Sequence, residues 1–425
     1  MKGSRLAVAA MCAAVLLAAS RPGLAHKPIT SPFTFDEDVR PILQEHCVSC
    51  HVNGGVAPMS LMTHAETVPW AESMRVELVA GHMPPWGIDG GASQFTNTKP
   101  LTARELNVLL TWAAGGTPPG GSGSPTPQPD ALKHTWPLGE PDLQLQPASE
   151  YVMATDVQDH VEEFTLDTRT TETRWLRAVD VLPGDPTVVR SATVSLARSA
   201  GGPAHLDVPL ALWVPGDTPV PTVEAAGFLL PAGARLSFRV HYKKTWQRER
   251  DVVRERSTVG LYFTPGMATT IQAAVMDAMD SGPAPGEQSR SATRPPPDTR
   301  RLVDTWPWRS WEQLQSGADS IAFSRTLGAT VRAYAVYANP GLQGVTISVV
   351  AVRPNGARES LIAFRPQAGW TRRYWFREPK WLERDSRIEV QAMRDAVTLL
   401  PPGAIHRDAV DVTQLRLALD VVRMD

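Results

Sequence analysis

Residues 174–196 read RWLRAVDVLPGDPTVVRSATVSL. Two runs rich in Val, Leu and Ala lie on either side of Pro183-Gly184-Asp185, which has the composition of a turn. Short apolar or alternating runs separated by turns are typical of strands in an antiparallel sandwich, not of alternating strands and helices. This stretch therefore predicts two strands of an all-β domain.

The same pattern continues to the C-terminus. Further runs are RLSFRVHY (235–242), TVGLYF (258–263), ATVRAYAVYA (329–338), GVTISVVAV (344–352), SRIEVQAM (386–393) and LRLALDVV (415–422). A polar stretch at 281–301 interrupts the series and has nothing to bury. We therefore predict a first β-sandwich at 136–280, a linker at 281–301 and a second β-sandwich at 302–425.

The region before these strands has helical spacing. Helices are predicted at Phe35–Cys47, Trp70–Ala80 and Leu101–Ala114, the last with a Thr102/Glu105 capping box. A Gly/Ser/Pro linker is predicted at 119–135. The predicted fold is multidomain, α plus all-β, in which a small helical domain at 33–118 precedes two antiparallel, jelly-roll-like β-sandwich domains.

The N-terminus has the features of a secretory signal peptide. Lys2 and Arg5 precede an apolar run at 6–19, and small residues at 23–25 suit cleavage. Because the run is shorter than the ~20 residues that span a bilayer, we expect residues 1–25 to be removed. The alternative is an uncleaved anchor. The product would be periplasmic or secreted, with no integral membrane span after cleavage.

The charge balance excludes one class of partner. The chain has 42 Lys+Arg against 44 Asp+Glu, a net charge of −2. It lacks the basic excess with which nucleic-acid-binding proteins neutralise phosphates, so no nucleic-acid partner is expected.

One motif carries specific chemistry. Cys47-Val48-Ser49-Cys50-His51 has the CxxCH spacing with which c-type haem is attached. Cys47 and Cys50 would form the two thioethers, and His51 would be the proximal ligand of the haem iron. A zinc site would lack a convincing fourth ligand, and a redox-active cysteine pair is the remaining alternative. One covalent haem is therefore the expected cofactor.

The sequence offers three candidates for the distal iron ligand. Met83, in Met83-Pro84-Pro85-Trp86, is the favoured thioether, with Met59 and His82 as alternatives. Met62 and Met74 are expected to pack in the core.

The segments FDEDVRPILQEHCVSCH, APMSL, VPWAESMRVELVAGHMPPW and LTARELNVLLTWAAGGTPPG resemble the cytochrome c domain of bacterial copper type II, ascorbate-dependent monooxygenase-like proteins. The later strands are similar to the two sandwiches of that family, which resemble those of peptidylglycine hydroxylating monooxygenase. The resemblance implies two copper sites, one held by three His and one by His-x-His plus Met.

Most of those copper ligands are missing. The first His-His pair falls on Arg190-Ser191, and His241 alone keeps a ligand position. The second site falls on Asn339-Pro340-Gly341 and near Leu415 or Arg416. One His does not hold a catalytic copper, so copper is not expected. His241 has two interpretations, an ordinary residue on the polar face of its strand or a remnant metal ligand.

We therefore expect an exported single-haem cytochrome that exchanges electrons with a periplasmic redox protein, while its sandwiches serve docking or ligand binding. One alternative is an active copper monooxygenase with haem as electron donor, and the other is a haem-bearing binding or scaffold module. Trp306, Trp308 and Trp311 are expected in a sandwich core or an inter-domain contact, with a ligand surface as the alternative.

Overall fold

The structure is a computed structural model. It describes ten parts of the chain: residues 30–88, 94–121, 135–197, 209–223, 225–278, 307–316, 319–338, 344–367, 369–394 and 415–424. The predicted signal peptide and the 281–301 linker lie outside these ranges, as does most of the 119–135 linker. Within them, no helix is long and apolar enough to span a bilayer.

The first β-sandwich contains eleven strands among the described residues. They are β1 Leu143–Leu145, β2 Tyr151–Met153, β3 Asp159–Asp167, β4 Arg174–Leu182, β5 Val189–Leu196, β6 Pro209–Trp213, β7 Ala226–Leu230, β8 Arg235–Lys243, β9 Val253–Glu255, β10 Thr258–Phe263 and β11 Thr269–Thr270. They form sheets of order β1-β10-β4-β7-β11 and β3-β8-β5-β6, with β2 and β9 as a separate pair. Only the short β11–β7 pair is parallel among these pairings.

Alternation along β8 shows how the first sandwich forms its core. Leu236, Phe238, Val240 and Tyr242 are buried, while the residues between them point to the other face of the sheet. Side chains from both larger sheets join these four in one apolar cluster. Burying each large apolar side chain contributes roughly 1.5–3 kcal/mol, so this alternation also determines which face turns inward.

The second β-sandwich is built from nine strands. They are β12 Gln272–Asp277, β13 Trp308–Ser316, β14 Ser320–Leu327, β15 Val331–Ala338, β16 Val345–Val352, β17 Arg358–Phe364, β18 Tyr374–Leu382, β19 Arg387–Arg394 and β20 Arg416–Arg423. Their sheets have the orders β12-β20-β15-β18 and β13-β14-β19-β16-β17. β12 pairs with β20 although it lies inside the range predicted for the first sandwich, so the chain passes between sandwiches before Gln272.

The residues before the sandwiches contain only short helices. These are α1 Arg40–His46, α2 His64–Thr67, α3 Ala71–Val79 and α4 Ala103–Ala114, with a π-helical turn at Phe35–Val39 and a 3₁₀ turn at Val68–Trp70. The Thr102/Glu105 capping box predicted for α4 is confirmed, since Thr102 Oγ1 accepts from the Glu105 amide and Glu105 Oε2 accepts from the Thr102 amide. We call residues 30–121 the helical segment.

The predicted fold class is wrong in one respect. The expected separate helical cytochrome c domain at 33–118 is not evident, because the described chain is mostly β and only three of its helices exceed four residues. The rest of the segment is largely turn and loop, and part of it belongs to another core. Phe95 is fully buried in the core of the second sandwich and bridges to Phe376 of β18, and Ile88 bridges to Phe364 of β17.

Two neighbouring arginines hold the three parts together. Arg373 is 3% exposed, donates to the Leu210 carbonyl at 3.0 Å and forms an ion pair with Asp420 of β20, with 2.6 Å between Nε and Oδ2. Arg372 forms an ion pair of 2.8 Å with Asp217 and donates to the carbonyl of Asn97. Each buried guanidinium therefore links the second sandwich to another part of the chain.

Candidate functional site

The CxxCH residues form a compact turn at the end of α1. The amides of Cys47 and Val48 both donate to the Leu43 carbonyl, at 2.9 and 3.0 Å. The amides of Cys50 and His51 then donate to the carbonyl of Cys47, at 3.1 and 3.0 Å. Because the backbone closes on itself within five residues, the two thiols and the imidazole are held close together.

Both cysteines are free thiols in a buried environment. Burial, with a smaller effect of Cys50, raises the pKa of Cys47 to about 12. Burial likewise raises the pKa of Cys50 to about 11, although Ser49, Arg190 and Arg372 act in the opposite direction. The two groups are therefore protonated at neutral pH, and they keep the three-residue spacing of the CxxCH motif.

Burial favours the neutral form of the His51 imidazole. Its Nδ1 is buried without a hydrogen-bond partner. Burial lowers the pKa of the imidazole, and the nearby Met59 backbone opposes this only in part. A neutral imidazole with a free lone pair is the form that coordinates metals.

These residues line a cavity of about 680 Å³, which we call the junction cavity. It lies where the helical segment meets both sandwiches, and its size is in the range of cofactor sites. The helical segment contributes His46, Cys47, Ser49, Cys50, His51, Val56, Ala57, Pro58, Met59, Leu61, Trp70, Ser73, Met74, Glu77, Leu78, Met83, Pro84, Pro85, Trp86 and Leu109. The first sandwich contributes Asp159, Arg190, His241, Lys243 and Trp246, and the second contributes Gly369 and Trp370.

Three thioethers reach this cavity. Met83, Met59 and Met74 all line it. Met74 also packs against the core of the helical segment, as expected, and Met62 is buried. His82 is not among the lining residues. Its side chain is exposed, and its Nδ1 lies 2.9 Å from a Glu77 carboxylate oxygen. The structure therefore brings both Met83 and Met59 to the cavity without choosing between them.

The second sandwich fixes the loop that carries Met83. Gln367 Nε2 donates to the His82 carbonyl at 2.9 Å, and the Arg365 amide donates to the Gly87 carbonyl at 2.6 Å. Gly87 has φ +61°, and a Cβ there would lie 2.3 Å from the Arg365 carbonyl oxygen. Only glycine permits this approach, which holds the Met83-Pro84-Pro85 loop against the cavity.

His241 lies on the polar face of β8, as its alternation predicts. There it pairs with Ser191 and Val161 on the neighbouring strands, and Asp159 Oδ1 accepts a hydrogen bond from its Nε2 at 2.7 Å. The sequence could not show that this face turns toward the helical segment. His241 consequently lines the same cavity as the CxxCH residues.

The structure describes only some of the positions that correspond to copper ligands. Arg190 Nη1 donates to the Val56 carbonyl, and Ser191 offers no imidazole. Leu415 is fully buried in the second core, and positions 339–341 lie outside the described residues. Among described residues, only Glu45, His46 and Glu105 come together as a group of three potential metal ligands. That group was not predicted, because Glu105 lies far in sequence from the adjacent Glu45 and His46.

The prediction that Trp308 and Trp311 belong to a sandwich core is confirmed. Trp308 is buried in the second core, where its Nε1 donates to the Val275 carbonyl at 2.7 Å, and Trp311 packs against the same core. Trp306 lies outside the described residues. The tryptophans that line the junction cavity, Trp70, Trp86, Trp246 and Trp370, carried no distinctive sequence signal.

Comparisons with known proteins do not identify the chain. No family model and no curated protein matches it. Among solved structures, an aminopeptidase from a marine sediment Thaumarchaeota archaeon is 16% identical with a TM-score of 0.14, covering 38% of this chain and 33% of its own. The chain thus spans about a third of that protein.

Two further solved structures cover more of the chain. A fucolectin from striped bass (Morone saxatilis) is 8% identical with a TM-score of 0.16, covering 63% of this chain and 84% of its own. An allantoicase is 9% identical with a TM-score of 0.18, covering 62% and 78%. Likenesses this low carry no argument about fold or function, and the resemblance based on sequence motifs stays a prediction.

Proposed function

We propose that the chain is an exported electron-transfer protein with one covalently attached c-type haem in the junction cavity. The observation that carries this proposal is the position of the CxxCH thiols and imidazole, which line a largely apolar cavity of about 680 Å³ together with two candidate thioether ligands. The free thiols, the unpartnered Nδ1 of His51 and the size of the cavity all fit the group.

The residues would have distinct roles. Cys47 and Cys50 would each add S–H across a vinyl group, so that sulfur bonds to one carbon and hydrogen to the other, with no oxidant required. His51 and Met83 would be the ligands of the iron, with Met59 as the competitor of Met83. When bound, haem supplies a one-electron redox centre.

The cavity walls would control the potential of that centre. A thioether ligand and apolar surroundings raise the reduction potential relative to bis-His coordination in water. Trp70, Trp86, Leu78 and Leu109 provide apolar surface in the cavity wall. The electron acceptor or donor would be a redox protein of the periplasm, which fits the predicted signal peptide at 1–25.

The test measures the mass of the denatured full-length chain, produced in a host that exports the protein and attaches haem. We expect the wild type to retain one haem after denaturation, and Cys47→Ala/Cys50→Ala to retain none. Ser49→Ala, in the same turn, is the matched control and should keep its haem. A wild-type chain that releases haem on denaturation would contradict covalent attachment.

The distal ligand is tested separately. Met83→Ala should abolish the absorption and magnetic signature of Met-ligated ferric haem, while Met59→Ala and Met74→Ala should leave it unchanged. Loss of that signature in Met59→Ala alone would assign the ligand to Met59.

A further inference from the structure

The junction cavity has an uneven distribution of charge. The helical segment supplies most of its lining, yet the Lys and Arg residues among the described lining residues are Arg190 and Lys243, both from the first sandwich. The carboxylates that line the cavity are Glu77 of the helical segment and Asp159 of β3. A cavity built for an apolar ligand alone would not need a half-buried guanidinium in its wall, because such a cation is costly to desolvate.

Arg190 is close to the attachment site. Its Nη1 donates to the Val56 carbonyl, which fixes the guanidinium beside the loop that follows His51. Its charge also acts on Cys50, and burial lowers the pKa of Arg190 to about 10, so the group stays cationic at neutral pH. A guanidinium has five N–H donors in a planar fork that suits carboxylates.

Lys243 extends this cationic wall, and His241 lies beside it. Lys243 Nζ and His241 Nε2 lie 3.2 and 2.7 Å from the two carboxylate oxygens of Asp159. Asp159 thus orients both side chains on the polar face of the sheet. The wall is built by β3, β5 and β8, three neighbouring strands of one sheet.

We infer that the first sandwich completes the haem site by binding the two haem carboxylates, with Arg190 as the main positioning group and Lys243 as the second. This inference rests on the proposed function. It gives the sandwich a role in place of copper chemistry, because the position that corresponds to a copper-binding His-His pair holds a cation directed at the haem site.

The effect on the redox centre has a definite sign. Ferric haem carries one more positive charge than ferrous haem, so a nearby cation disfavours the ferric state. An uncompensated haem carboxylate stabilises that state instead. Removing Arg190 therefore shifts the reduction potential in the negative direction for both reasons.

The experiment measures the reduction potential of the full-length haem protein by spectroscopic redox titration. We expect a negative shift for Arg190→Gln, recovery of most of that shift in Arg190→Lys, and a smaller negative shift for Lys243→Gln. The control is Arg254→Gln, which removes the same charge from an exposed ion pair with Glu150 outside the cavity lining.

The possible results distinguish a failure of the carboxylate-binding inference from a failure of the haem proposal. Wild-type potentials in both Arg190→Gln and Lys243→Gln would overturn the inference while covalent haem remained established. If Arg190→Gln does not fold, the reduction potentials of Arg190→Lys and Lys243→Gln test the inference, since Lys243 is half exposed and its replacement should be tolerated. A wild-type potential in Lys243→Gln would then contradict the inference. A wild-type chain without haem would contradict the proposed function instead.

Discussion

The helical segment and the second sandwich differ in the size of the hydrophobic core that each forms. Among described residues, nine buried side chains form the core of the helical segment, against 29 for the second sandwich. One of those 29 is Phe95, which the helical segment contributes. A small segment that inserts a side chain into its neighbour depends on that neighbour, so the site it carries is a property of the whole assembly.

The strongest test of this dependence is Phe95→Ala. Phe95 stacks on Phe376 with ring centroids 5.3 Å apart, and its removal leaves a cavity in the second sandwich. We expect a loss of about 3–5 kcal/mol in the free energy of unfolding and faster hydrogen exchange in β17 and β18.

The matched control is Phe35→Ala, in the core of the helical segment. Its loss of stability should leave exchange in β17 and β18 near wild type. Equal exchange in both variants would show that the helical segment and the second sandwich are independent.

Breaking the Arg372–Asp217 pair should have the next largest effect. Asp217→Ala leaves the Arg372 guanidinium buried without a carboxylate, which costs about 3 kcal/mol in urea unfolding. Arg309→Ala breaks an exposed ion pair with Asp385 and should cost under about 1 kcal/mol. Similar costs for the two variants would mean that the buried pair does not stabilise the contact between the two sandwiches.

Asp180 makes stability depend on pH. Burial raises the pKa of this carboxyl to about 7, and nearby Asp217 adds to the effect, although the Val181 amide and Trp213 oppose it. Between about pH 4 and 7 the folded protein holds a proton that the unfolded chain has released. Stability therefore falls as pH rises through this window, by at most about 1.4 kcal/mol per pH unit.

Chemical denaturation at several pH values checks this expectation. Asp180→Asn should reduce the slope of the profile between pH 4 and 7, with burial of Asp420, whose pKa is raised to about 6, accounting for part of the slope that remains. Asp156→Asn, at an exposed position, should preserve the wild-type slope. A profile in Asp180→Asn that keeps the wild-type slope would assign the pH dependence to other groups.

The smallest expected effect concerns the cap of α4. Thr102→Ala removes the acceptor for the Glu105 amide and should cost about 1 kcal/mol. Thr102→Ser keeps the hydroxyl and should stay close to wild type in the same thermal unfolding measurement. Equal losses in the two variants would show that the hydroxyl does not stabilise the cap.

Local patterns in the sequence predicted local structure well. Alternation in Arg235–Tyr242 predicted both the strand and the polar face that carries His241, and the capping box predicted the start of α4. The helical cytochrome c domain was the wrong prediction, because helical spacing at 35–47, 70–80 and 101–114 says nothing about the loops between the helices. Phe95 lies in one of those loops, and pairing with a strand about 280 residues later leaves no local signal.

The candidate site, too, could be predicted from the sequence only where the signal is local. CxxCH identified the thiols and the imidazole because their spacing is itself the signal. Arg190 and Lys243 were not recognised as lining residues, since only the packing of β5 and β8 against the helical segment brings them to the cavity. Long-range packing, and not residue type, decides which charges face a cavity.

Iron and copper per polypeptide test the central claim most directly. The measurement uses full-length protein exported from a host that attaches haem, loaded with copper and then desalted. We predict one iron and no copper per chain. A chain with neither metal would contradict the haem proposal, and stoichiometric copper would contradict the conclusion that the sandwiches lack a copper site.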